Sequence, residues 1–287
     1  MKEKKVAIII TTYSQDELLI RNIKSVVKYS KNVNYKIYLV DDCSENRIGK
    51  KIEKQFPFVN VIINKENLGF SKSNNIAIQK ATNEYSPDFF LILNDDCEVL
   101  EKNWLSQFIK KTEKFPGAGI FGCKLVYPDG SMQWGTKDGK NYFFEKNGVM
   151  EKKDEFSKDQ ETTQTIGACM LIIKKAMAKV GGFDELFSPF YAEESDLCFR
   201  AKKEGYKVIY FGDLRIVHHR NKSISKLSKE DVWFIKKRNS IRLEWRHYSF
   251  LKNIYYTIVH FGATFKRDGI SFLKKLILLI KAYIENL

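Results

Sequence analysis

Along the first hundred residues, short and nearly unbroken apolar runs alternate with stretches of helical spacing. The runs Lys5–Thr11, Tyr35–Val40, Val59–Ile63 and Phe89–Leu93 have strand length, and Phe89–Leu93 contains no turn residue. Such runs mark strands buried on both faces. Between them, Gln15–Ser30 puts Leu18, Leu19, Ile23, Val26 and Val27 on one side, Glu45–Phe56 is closed by Pro57, and Phe70–Ala81 is a third helix. Ser14 followed by Glu17 has capping-box spacing and predicts Ser14 as the N-cap of the first helix. Strands alternating with helices predict an α/β domain, a mostly parallel sheet flanked by helices.

The second half changes character. A helix over Trp104–Phe115 leads to a strand over Ala118–Tyr127 and a turn at Pro128-Asp129-Gly130. Ser131–Thr163 is polar except for Tyr142-Phe143-Phe144, which predicts a hairpin or a mobile loop over the site. Thr165–Ile173, Lys207–Phe211 and Arg215–Val217 are strand-like. A helix with the inner stripe Leu197, Cys198 and Ala201 starts near Glu193.

In sheets of this kind ligands bind beyond the carboxyl ends of the strands. Polar residues collect at those ends: Thr11 and Tyr13, Asp41 and Asp42, Asn64 and Asn67, Asp95 and Asp96. Four in succession point to one shared crevice. Adjacent carboxylates closing a buried strand are costly without a cationic partner. A divalent metal on a diphosphate would supply one, and a strand-to-turn cap is the plainer reading of the same residues. No GxGxxG follows the first strand and no GxxxxGK[ST] occurs, which disfavours a dinucleotide site and excludes a P-loop. Gly167-Ala168 allows either close approach of a ligand or tight strand packing. Glu193, Glu194 and Asp196 are either first-turn acids favoured by the helix dipole or a general base beside an apolar wall of Phe187, Phe190 and Tyr191. His218-His219 ends a strand, and the basic loop Arg220–Ser225 after it suits a diphosphate.

Charge adds a partner. The 287-residue chain carries a formal net charge of +14, which implies an anionic partner. The excess is heavy from Arg215 to Lys281. Five widely spaced cysteines without a CxxC pair indicate neither a disulfide framework nor zinc. The N-terminus shows no signal-peptide pattern, so a cytoplasmic location is expected. Lys229–Arg246 reads as a helix, and Ser249–Leu287 mixes aliphatic and aromatic runs with lysines. No stretch reaches the roughly 18–20 apolar residues of a spanning helix. A basic amphipathic surface on an anionic membrane is expected there, with a packed helical pair or a homodimer contact as the other reading. The domain expectation is 1–227 for the α/β unit and 228–287 for the appendage. A polyanion or nucleic-acid binder is the alternative the charge allows. No nucleic-acid motif supports it, so no nucleic acid is expected.

The motifs together resemble family-2 glycosyltransferases of the GT-A fold, in their rhamnosyltransferase-like subgroup. The resemblance spans Val6 to about Arg246. It is carried by Ile10-Thr-Thr-Tyr13, Val40-Asp-Asp-Cys-Ser44, Asn64-x-x-Asn67-Leu-Gly-Phe-x-x-x-Asn74-Asn75, Leu93-Asn-Asp-Asp96, Tyr127-Pro-Asp-Gly130, Gly167-Ala-Cys169, Gly182-Phe-Asp-Glu185, Glu193-Glu-Ser-Asp-Leu-Cys-Phe-Arg200 and Val217-His218. It implies a nucleotide pocket from Thr11, Tyr13, Asp41 or Asp42, Asn67 and Gly69–Asn74, with Asp42 favoured for the pyrimidine edge. It implies Asp95 as a ribose or sugar contact, Asp96 and His218 on a Mg²⁺ or Mn²⁺ ion, and Gly167 and Glu193 toward acceptor and sugar. Glu194 stands at the family's catalytic base, with Asp196 as the alternative. The implied reaction is inverting transfer from a UDP- or dTDP-sugar to a glycan or lipid-linked saccharide in cell-surface polysaccharide synthesis, by an enzyme peripheral on the inner face of the cytoplasmic membrane.

Overall fold

The computed structural model describes residues 3–146, 155–219, 227–265 and 270–286. Strands β1 (Lys5–Thr12), β2 (Asn34–Asp41), β3 (Asn60–Ile63) and β4 (Phe89–Leu93) alternate with helices α1 (Asp16–Tyr29), α2 (Ile48–Gln55) and α3 (Gly69–Tyr85). The short β5 (Cys97–Glu98), α4 (Trp104–Thr112) and the strands β6 (Ala118–Val126), β7 (Met132–Lys137), β8 (Lys140–Phe143), β9 (Gln160–Glu161) and β10 (Cys169–Ile173) follow. Helices α5 (Lys174–Val180) and α6 (Glu193–Lys203) precede β11 (Lys207–His218), and α7 (Lys229–His247), α8 (Phe250–Ala263) and α9 (Phe272–Ile284) complete the described chain.

The main sheet runs β3-β2-β1-β4-β10-β6-β11-β5. Its first four strands are parallel, as the alternating pattern predicts. Beyond β4 the sheet is mixed, because β10 runs antiparallel to both of its neighbours. Side chains alternate across the pleat. Val6, Ile8 and Ile10 face a layer containing Leu19, Ile23, Val26, Ile52 and Phe108. Ala7 and Ile9 face Ala77, Ala81, Met177, Leu197 and Ala201 on the other side. Burying each of the larger aliphatics contributes about 1.5–3 kcal/mol. The sheet is thus covered on both faces, and only its strand ends remain open to carry polar groups.

Several local expectations are corrected. Ser14 is not the α1 cap: it sits at φ 62°, its N–H donates to Ser44 Oγ at 2.9 Å, and α1 begins after Gln15 without a side-chain cap. The described part of Ser131–Thr163 contains the hairpin β7–β8 and the short β9, which pairs with β11, and Met132 and Trp134 pack into the core. None of its described residues lies over the cavity below. Lys207–Phe211 and Arg215–Val217 are one strand, interrupted by a register shift between Phe211 and Arg215. Gly212 lies in that irregular stretch, where a Cβ would stand 2.4 Å from the Phe156 carbonyl.

Candidate active site

A cavity of about 670 Å³ opens at the carboxyl ends of the parallel strands. β1 contributes Thr11 and Thr12, and Tyr13 follows. Asp42 comes from the end of β2, Asn67 and Gly69 from the β3–α3 turn, and Asn94, Asp95 and Asp96 from the end of β4. The opposite wall is Gly167 before β10, Phe190 and Tyr191 before α6, Glu193 and Glu194 in the first turn of α6, and His218 at the end of β11. The structure therefore brings together Thr11, Tyr13, Asp42, Asn67, Gly69, Asp95, Asp96, Gly167, Glu193, Glu194 and His218, whereas Asn64, residues 71–74, Phe187 and His219 do not line the cavity, and neither do two of the acids.

Those two are Asp41 and Asp196. Asp41 is buried, and its carboxylate accepts the Ser44 N–H at 2.9 Å and the Gly49 N–H at 2.8 Å. It fixes the loop into α2 and is not among the cavity-lining residues. Asp196 is fully buried behind the cavity wall. It accepts from Arg200 Nε at 2.7 Å, His247 Nε2 at 2.8 Å and Arg246 Nη1 at 3.1 Å. Burial pushes its carboxyl up, but the His247 hydrogen bond and the Arg200 charge outweigh that and hold it below the usual range. An acid so well supplied with donors stays ionised and has no path to an acceptor hydroxyl. It ties α6 to α7. Phe187, expected in the apolar wall, is likewise buried outside the cavity.

On the β2 side, Asp42 accepts the N–H groups of Leu68 and Gly69, each at 2.9 Å, and Asn64 Nδ2 at 2.8 Å. Those bonds shape the turn into α3. Gly69 is required there: its φ is +77°, and a Cβ would meet Pro189 at 2.9 Å. At the end of β4, Thr12 Oγ1 donates to Asp95 Oδ2 at 2.6 Å. Burial first, and then the Asp96 charge, push Asp95 up to about 7.

Asp96 Oδ1 lies 3.1 Å from His218 Nε2. The other ring nitrogen of His218 contacts Gln133 Oε1, and Gln133 Nε2 donates to the His218 carbonyl at 3.1 Å. Gln133, on β7, was not visible as a site residue because only the β6–β7 pairing carries it to the end of β11. A metal-binding imidazole is commonly oriented through its second nitrogen in this way. Asp96, Cys97 and His218 offer ligand atoms within 4.8 Å of one another. Cys97 is the weak member, since burial pushes its thiol well up and its Sγ faces the Ala168 carbonyl at 3.2 Å. The donor set is then a carboxylate oxygen and an imidazole nitrogen, with Asp95 beside them. It fits a hard or borderline divalent cation. The cavity's own charge points the same way. Asp42, Asp95, Asp96, Glu193 and Glu194 line it with His218 as the cationic candidate among the described residues. Such an acidic lining disfavours a diphosphate unless a cation joins it. The Arg220–Ser225 loop expected to help lies outside the described residues.

Across the cavity, burial and then the Glu194 charge push Glu193 well up, and Glu193 Oε2 has no hydrogen-bond partner among the described residues. Enclosure also raises Glu194. Glu194 is the less buried of the two and so the better placed to meet a ligand. Gly167 stands against it: a Cβ there would be 3.8 Å from Glu194 Cβ and 3.2 Å from the Phe70 ring. Any side chain would press into the space between Glu194 and Phe70.

The sequence model of glycosyl transferase family 2 matches residues 7–181, more than half of the chain. The chain belongs to that family. The family-2 chain is 24% identical over 241 residues to an O-antigen biosynthesis protein of Myxococcus xanthus, covering 80% of this chain and 18% of that protein. It is 22% identical over 205 residues to an N-acetylglucosaminyl-diphospho-decaprenol L-rhamnosyltransferase of Mycobacterium tuberculosis, covering 64% of this chain and 66% of that protein. The solved structure of GalNAc-T7 with UDP, GalNAc and Mn²⁺ superposes with a TM-score of 0.66 at 16% identity, covering 98% of this chain and 55% of that one. The chain covers less than two thirds of the length of each of these proteins. The fold is GT-A.

Proposed function

We propose that this glycosyltransferase is inverting and metal-dependent, and moves a sugar from a UDP- or dTDP-linked donor, rhamnose among the candidates, to a glycan or lipid-linked saccharide of the cell surface. The observation that carries this is the convergence of Asp42, the Asp96–His218 pair and Glu194 on one cavity. The names of the Myxococcus and mycobacterial relatives support the pathway and the acceptor class. The Mn²⁺ in GalNAc-T7 supports the metal.

Thr11, Tyr13, Asp42 and Asn67 receive base and ribose, and Asp95 contacts ribose or sugar. Asp96 and His218 hold Mg²⁺ or Mn²⁺, and the imidazole nitrogen favours Mn²⁺, since Mg²⁺ prefers an all-oxygen shell. When bound, the cation offsets charge on the departing diphosphate. Glu194 takes the proton of the acceptor hydroxyl. That oxygen forms a bond to the anomeric carbon, the bond to the diphosphate breaks with its electron pair on the nucleotide, and the configuration inverts. Gly167 and Glu193 border the sugar and acceptor. The test is turnover of UDP- and dTDP-sugars of known anomeric configuration, rhamnose included, with saccharide acceptors, reading product stereochemistry by NMR. A product of anomeric configuration opposite to its donor's is expected. Retention of configuration would overturn the mechanism, and failure to turn over any such donor would overturn the activity.

The appendage suits a membrane location. Leu273, Ile277, Ile280 and Ile284 form an exposed stripe on α9, and Phe250, Leu251, Tyr255 and Ile258 are exposed on α8. Lys252, Lys274 and Lys281 border these faces. Among the described residues, no helix is long and apolar enough to cross a membrane. An apolar face with a cationic border fits an anionic bilayer surface, here the inner face of the cytoplasmic membrane. Co-sedimentation with phosphatidylglycerol vesicles, weaker with phosphatidylcholine and lost in Leu273→Glu/Ile277→Glu, is expected. Equal pelleting of that variant, or homodimers that hide the face without lipid, would count against it.

A further inference from the structure

The loop that carries the aromatic wall of the cavity is held from behind by a helix outside the family-matched residues 7–181. Asn239 on α7 is fully buried. Its Nδ2 lies within hydrogen-bond distance of three carbonyls of that loop, Phe187 at 2.6 Å, Phe190 at 2.8 Å and Tyr191 at 3.0 Å, which its two N–H groups share. Its Oδ1 accepts from Arg238 Nε at 3.0 Å, which fixes the amide's orientation. Arg238 Nη2 donates to the Ser188 carbonyl, and Arg242 donates to that of Leu186. Five backbone acceptors between residues 186 and 191 are thus satisfied by three neighbouring side chains of one helix.

The loop needs such support. Tyr191 and Ala192 both adopt left-handed backbone, at φ 77° and 73°, immediately before Glu193. Two consecutive non-glycine residues in that region are strained and persist only where surrounding contacts dictate them. The two sites flanking the loop depend on its path. Pro189 packs over Gly69, and its carbonyl accepts the Phe70 N–H at 3.1 Å on the nucleotide side. Tyr191 leads into the first turn of α6, where Glu194 sits.

We infer that Asn239 is a positioning residue for sugar transfer: through the Phe190 and Tyr191 carbonyls it sets the acceptor wall and the aim of Glu194, and Arg238 assists through Ser188. The inference rests on the transferase reading above. A misplacement of about 1 Å at such a distance from the chemistry can cost about 100-fold in rate. Asn239→Ala should lower kcat about 10–100-fold and raise the acceptor KM. The affinity for nucleotide with Mn²⁺ should fall much less than kcat, because Thr11 and Asp42 are carried by the sheet and the loop reaches that side only through Pro189. Amide exchange at residues 190–194 should quicken while the rest of α6 stays protected. Unchanged exchange there would overturn the inference whether or not the wild type transfers sugar, which keeps its failure apart from that of the transferase reading. Unchanged kcat and KM in an active enzyme would overturn it too, as would loss of nucleotide affinity in step with activity, which marks a merely structural residue. If Asn239→Ala does not fold, Arg238→Gln, which keeps Asn239 but removes the Ser188 contact and the donor that orients the Asn239 amide, is judged by the same readings with a smaller effect.

Discussion

Glu194→Gln should lower the rate of sugar transfer by about 10²–10⁴-fold, the usual cost of removing a well-placed general base, while nucleotide binding survives. Glutamine keeps the size of the side chain and cannot accept the proton. Glu194 lines the cavity from the first turn of α6, facing the wall that bears Asp42 and Asp96, with Gly167 leaving room beside it. Enclosure raises its pKa above the ordinary 4.5 of a glutamate. A base works only when deprotonated, so kcat should climb as pH rises through that raised value, and the acid limb should lie above the usual carboxylate range. Glu194→Gln should abolish the limb. Glu193 is the more deeply buried neighbour, and its charged form is opposed by burial and by Glu194. Glu193→Gln should therefore cost less and leave the limb near its wild-type position, because Glu193 is held neutral and carries no charge to remove. Stopped assays across pH on the two variants check this. Near-wild-type turnover by Glu194→Gln would remove it from the chemistry.

What the sequence displayed of this site was the part built on strand ends. Asp42, Asp95, Asp96 and His218 each close a buried apolar run, so the topology of a parallel sheet was enough to gather them. The Thr12–Asp95 bond was within reach of the same reasoning, since the β1–β4 register pairs Ile9 with Ile92 and carries Thr12 to the level of Asp95. Adjacent acids were harder. Asp41 and Asp42 point to opposite sides of the chain, as neighbours at a strand end do, and nothing in Asp-Asp says which faces the ligand. Asp196 shares a helical turn with Glu193 and Glu194, but its side of α6 meets Arg246 and His247 of α7. That contact joins residues fifty positions apart and leaves no periodic trace. Gln133 and Asn239 were hidden for the same reason: both act through partners far along the chain, 85 positions away for Gln133 and His218 and about 50 for Asn239. Ser14 shows a local motif losing to tertiary structure. Its N–H is taken by Ser44 from the β2 loop, and the capping box does not form.

Loss of metal-dependent nucleotide binding in Asp96→Ala is the second large effect expected. Removing groups that merely orient a metal ligand costs about 10–100-fold in metal affinity, and removing a ligand should cost at least as much. In Asp96→Ala the remaining carboxylates of the cavity would repel a diphosphate with one cation site lost. His218 would keep its Gln133 contact but lose its carboxylate partner. The fold should be retained, since Asp96 lies at a strand end and holds no core layer together. The deciding measurement is isothermal titration of UDP and dTDP into the wild-type protein and Asp96→Ala, each with and without Mn²⁺. The account predicts that one nucleotide class binds the wild type, that binding requires Mn²⁺, and that Asp96→Ala abolishes it. Failure of both nucleotides to bind under any metal condition, or Mn²⁺-independent binding that Asp96→Ala leaves intact, would contradict it.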